Sequence, residues 1–102
     1  MSLGALAVIP GTTFTITLER AGTISVQGNV NVLTERQVFV YIYLNDERIG
    51  PPGFTSMPNV WTNIPLFAMR NVPAGTYTIS LRGEASPGTT RAGSRVVTAT
   101  AF

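Results

Sequence analysis

The chain has 102 residues, 44% hydrophobic and 12% charged, with a net charge of +2 from seven Arg against five acids and no Lys, Cys or His. That length supports one domain, residues 1–102, able to bury roughly two-thirds of its unfolded surface. The missing residue types exclude disulfides, thiolate nucleophiles, Cys/His zinc sites and His acid–base chemistry, while the sparse charge fits a chain that hides surface in an assembly.

Met1 to Pro10 holds a short apolar run without a basic leader, and it is far too short to span a membrane. Leu3 to Ile9 reads as a first edge strand, stopped by Pro10-Gly11. Thr13 to Glu19 alternates, with Phe14, Ile16 and Leu18 inward and Thr13, Thr15 and Thr17 outward. Thr23 to Leu33 places Ile24, Val26, Val30 and Val32 on one face, and Gly28 in that row is a candidate bulge or bend.

Val38 to Leu44 reads Val-Phe-Val-Tyr-Ile-Tyr-Leu without a break. Neighbouring strand side chains point to opposite faces, so Val38, Val40, Ile42 and Leu44 share one face and Phe39, Tyr41 and Tyr43 the other. A two-layer β domain buries one face of each sheet. The aromatic face therefore calls for a cover of its own, either a second copy or a ligand.

Asn45-Asp46 reads as a hairpin tip, since both residue types tolerate left-handed backbone. Gly50-Pro51-Pro52-Gly53 is expected to break regular structure and open the longest loop, to about Pro58. Asn59 to Met69 is the next strand, with Val60, Ile64 and Leu66 against Trp61, Phe67 and Met69; Pro65 puts it at an edge or a bulge. Asn71 to Gly75 turns, Thr76 to Arg82 points Tyr77, Ile79 and Leu81 inward, Gly83 to Gly93 reads as a polar loop, and Ser94 to Phe102 is the last strand. Seven or eight short strands without helical periodicity predict an all-β fold, an antiparallel β-sandwich of jelly-roll type.

No catalytic constellation stands out, and the expectation is a protein without enzymatic activity, cofactor or metal. Of the five acids only Asp46 and Glu47 adjoin, on a turn, where a glycosidase needs two carboxylates across a cleft. Gly83 to Gly93 has no Lys and no following helix, so it is not a phosphate loop. A charge of +2 gives no dense groove for nucleic acid, and Arg82, Arg91 and Arg95 are expected to pair with acids across subunit contacts. Aromatic rings stack on sugars, and interfaces are enriched in Tyr, Trp and Arg. The candidate contact residues are Phe39, Tyr41, Tyr43, Phe54, Trp61, Phe67, Arg95 and Phe102.

Asn71-Val72-Pro73-Ala74-Gly75-Thr76-Tyr77-Thr78-Ile79-Ser80-Leu81-Arg82, then a Gly/Thr-rich loop and Arg95 to Phe102, resembles the C-terminal part of jelly-roll domains in phage tail-fibre, receptor-binding and capsid-decoration proteins. The Val38 to Ile49 hairpin is similar to their Tyr/Val-rich strand with its Asn-Asp tip. The resemblance implies a compact jelly roll, often a homotrimer, without enzymatic activity. With no long shaft or coiled-coil segment, a small decoration or accessory protein is favoured over a whole fibre. The expectation is therefore a virion structural protein on the particle surface, a homo-oligomer (trimer favoured) bound to other virion proteins, without nucleic-acid or membrane partners. The alternative is a non-catalytic carbohydrate- or receptor-binding module.

Overall fold

The computed structural model describes residues 7–35, 37–56, 59–85 and 90–102. Among these residues eight strands run in chain order: β1 (Ala7–Val8), β2 (Phe14–Leu18), β3 (Gly22–Thr34), β4 (Val38–Leu44), β5 (Glu47–Thr55), β6 (Thr62–Val72), β7 (Gly75–Ala85) and β8 (Thr90–Ala101). Every ladder is antiparallel. Sheet A has the order β6-β3-β8; sheet B has β1-β7-β4-β5, with β2 also on β7. The result is the antiparallel, jelly-roll-like β-sandwich expected from the alternation.

The aliphatic rows meet between the sheets. Ile24, Val26, Val30 and Val32 from β3 and Ile64, Leu66 and Ala68 from β6 face Val38, Val40, Ile42 and Leu44 from β4 and Ile79 and Leu81 from β7. All are buried, and their removal from water is the main stabilising term. Thr12 is buried with its hydrogen bonds made: Oγ1 donates to Ile9 O at 2.6 Å and accepts from Leu81 N–H at 3.2 Å. It locks the β1–β2 connection onto β7.

Asn45 turns the β4–β5 hairpin at φ +55°, and its side-chain oxygen accepts from Thr78 N–H at 2.9 Å.

Three sequence expectations are corrected. Gly50 to Pro58 is not one long loop, because β5 continues to Thr55 through both prolines. β5 is the edge of sheet B, so one side of the strand needs no donors and proline fits. The glycines serve its close approach to β6. Gly50 has φ +71°, and a Cβ there would lie 2.7 Å from Ala68 Cβ; a Cβ on Gly53 would overlap Ile64 Cγ2.

Gly28 marks no bulge, since it pairs with Leu66 on one side and Val97 on the other. It gives room to Leu81 across the core, whose methyls stand 3.3 Å from where a Cβ would be. The register shift lies instead between Val30 and Val32, on the β8 side. Gly83 to Gly93 is also not all loop: β7 runs to Ala85 and β8 starts at Thr90. Of the expected Leu3 to Ile9 strand, Ala7–Val8 is strand, and Leu3 to Leu6 lies outside the described residues.

Candidate functional site

Side chains on the outer faces of the two sheets are the candidates for contact with anything else. On sheet B, the outward positions of β4 are Phe39, Tyr41 and Tyr43, each partly exposed. Phe39 and Tyr41 stack with centroids 6.4 Å apart and planes 11° apart. Phe54, its cross-strand partner on β5, tilts against Phe39 at 5.0 Å. The Arg48 guanidinium lies 4.8 Å from the Tyr41 ring centre, and that of Arg82 lies 4.0 Å from Tyr43.

This face thus carries a run of three rings, Phe54, Phe39 and Tyr41, and two ring–cation pairs, all supplied by one chain and each favourable by the ring quadrupole. Arg82 also donates to Asp46 Oδ1 at 3.1 Å. Within the protomer, then, Arg82 has an acid partner in the same chain. Its Nε is buried without a hydrogen-bond partner among the described residues.

Sheet A presents a different face. The outward row of its central strand is Ser25, Gln27, Asn29 and Asn31, opposite Met69, Phe67, Pro65 and Asn63 on β6. Across β8 the same row meets Thr100, Thr98 and Val96. A shallow groove of about 300 Å³ is lined by Gln27, Asn29, Pro65, Phe67, Val96 and Thr98. It continues into a hollow of about 330 Å³ bounded by Asn29, Val96, Asn63, Ser94 and Arg95.

Phe67, Met69 and Val96 are exposed there. The side-chain amides of Gln27, Asn29 and Asn63 have no bonding partner among the described residues. They are open to water or to a ligand.

Trp61 closes one end of this face. It stands just before β6, 50% exposed. A Cβ on Gly93 would lie 2.9 Å from Trp61 Cζ3 and 3.5 Å from Asn31 O, so the indole rests on bare backbone where β3 meets β8. Gly93 falls in the stretch of β8 that the register shift leaves unpaired. The shift and the missing side chain together seat the ring.

The structure therefore splits the candidates. Phe39, Tyr41, Tyr43 and Phe54 gather on sheet B. Phe67 lines the sheet A groove, Arg95 borders its hollow and donates to Ala92 O at 3.5 Å, and Trp61 lies on Gly93 at the end of the same face. Phe102 stands apart at the end of β8, 68% exposed, its backbone paired both ways with Thr23 at 2.7 and 2.9 Å. Sequence reasoning missed Gln27, Asn29 and Asn63. The signal was present, since Gln27, Asn29 and Asn31 alternate with the valines of one strand.

No family model and no curated protein matches the chain. Among solved structures it is similar to the EclA C-terminal domain, a sugar-binding protein, at 13% identity and a TM-score of 0.59, over 93% of this chain and 78% of that one. At this identity the likeness establishes a shared fold and nothing finer.

Proposed function

We propose that the domain is a non-catalytic carbohydrate-binding module that holds a glycan along the outer face of sheet A. The carrying observation is one sheet face that holds half-exposed Phe67 with the unpartnered amides of Gln27 and Asn29 in its groove, the unpartnered Asn63 in the adjoining hollow, and half-exposed Trp61 on Gly93 at the end of the face. A pyranose has an apolar C–H face and a rim of hydroxyls. The rings suit the former, and an amide both donates and accepts, as hydroxyls require. The groove is open and shallow, which suits a chain of sugars bound from the side. The sugar-binding neighbour of the same fold adds support.

The test is titration calorimetry against soluble oligosaccharides chosen from a glycan array. Binding by the native chain, lost in Trp61→Ala and kept in Tyr41→Ala, supports the reading. No binding across the array, or equal binding by Trp61→Ala, overturns it.

The virion structural role is the second reading. What favours it is the aromatic row of sheet B, with Phe54 50% exposed at its margin. It predicts that Phe54→Ala disrupts attachment to a protein lattice and leaves glycan binding intact.

A further inference from the structure

A sheet edge carries unpaired N–H and C=O groups and is a template for another strand, and folded proteins blunt such edges with proline, breaks, short strands or cover. This sandwich has four edges, and three are blunted. β5 carries Pro51 and Pro52 and the left-handed Gly50. β6 carries Pro65 and lies beneath β5, packed where Gly50 and Gly53 meet Ala68 and Ile64. The other edge of sheet B is split into β1, of two described residues, and β2, of five, with Pro10 and Gly11 between them.

β8 is the exception. It is 12 residues long, contains no proline, and carries charge only at Arg91 and Arg95, in its first half. Among the described residues its only ladder is with β3, and from Arg95 to Ala101 that ladder runs without a shift. Beside it the core is incompletely closed: Val97 and Ala99 on β8 and Phe14 and Ile16 on β2 are only partly buried.

We propose that two copies of this chain pair antiparallel through the free edges of β8, about a two-fold axis at Thr98, the midpoint of the uninterrupted ladder. The occupant is a second copy because the pairing is self-complementary. About that axis Val97 opposes Ala99, Val96 opposes Thr100 and Arg95 opposes Ala101, so no Arg faces an Arg. The paired stretch from Arg95 to Ala101 spans about 23 Å at roughly 3.3 Å per residue. The two sheets A become one of six strands, with both outer faces on the same side. Two copies of the groove then lie side by side, able to bind a repeating ligand with avidity.

The native chain has no Cys, so single-Cys variants report the contact directly. Thr98→Cys brings two thiols together at the axis, where opposed Cβ atoms stand about 4.5–5.5 Å apart, within reach of a disulfide after a small shift. Mild oxidation is expected to crosslink Thr98→Cys into a dimer, and not Met69→Cys, an exposed control on β6. Light scattering of the native chain across a dilution series is expected to show twice the 10.9 kDa protomer mass, with Thr98→Lys shifted to the monomer by like charges placed in opposition. A monomeric or trimeric native mass, or equal crosslinking of Thr98→Cys and Met69→Cys, overturns the proposal. Both readouts are independent of glycan binding.

Discussion

The two outer faces of this sandwich are both rich in apolar side chains, yet they differ in what those side chains already touch. On sheet B, Phe39 and Tyr41 stack on each other, and Arg48 and Arg82 lie over Tyr41 and Tyr43. On sheet A, Phe67 and Trp61 stand half exposed on a face whose amides have no partner among the described residues. The count of aromatic residues favours sheet B as a contact surface; the unspent interactions favour sheet A. A ring whose face is occupied by a guanidinium must lose that contact before it can stack on anything else.

The sharpest way to break this comparison is Trp61→Ala. Truncated aromatic anchors commonly cost 2 kcal/mol or more, so glycan affinity is expected to fall about 30-fold or more by calorimetry. Tyr41→Ala is the mirror experiment. Losing a ring pair and a cation–π contact is expected to cost about 1–2 kcal/mol of stability in denaturant unfolding, with glycan affinity unchanged. If Tyr41→Ala removes binding and Trp61→Ala does not, the two faces have been assigned the wrong way round.

Smaller changes sharpen the same contrast. Asn29→Ala removes an amide shared by the groove and its adjoining hollow. Loss of one hydrogen bond is worth about 1 kcal/mol, or roughly fivefold in affinity, with thermal stability unaltered because no protein group loses a partner. Glu47→Gln tests the surface ion pair with Arg70, at 2.8 Å between side chains 67% and 37% exposed. Its effect on unfolding is expected below about 1 kcal/mol and weaker still in high salt.

Much of the fold was legible in the chain because strand alternation is local. Val38, Val40, Ile42 and Leu44 could be assigned to one face by counting in twos, and all four are buried. The strand through Gly50-Pro51-Pro52-Gly53 was not legible, because a proline is tolerated or excluded according to which side of its strand has a neighbour. Phe54 illustrates the consequence: read as a loop residue, it is a cross-strand partner of Phe39.

The sandwich, its core rows and its surplus of apolar side chains follow from the sequence by itself, since residue type and period fix which side chains must leave water. Only the tertiary structure decided which of the remaining side chains are used within the protomer. Arg48 covers Tyr41 because β5 pairs with β4, and Arg82 reaches Tyr43 from β7 on the other side. Gln27, Asn29, Asn63 and Trp61 share a face because β3 lies between β6 and β8. Those neighbours are set by long-range strand pairing, which depends on the packing of the whole chain and on no short stretch of it.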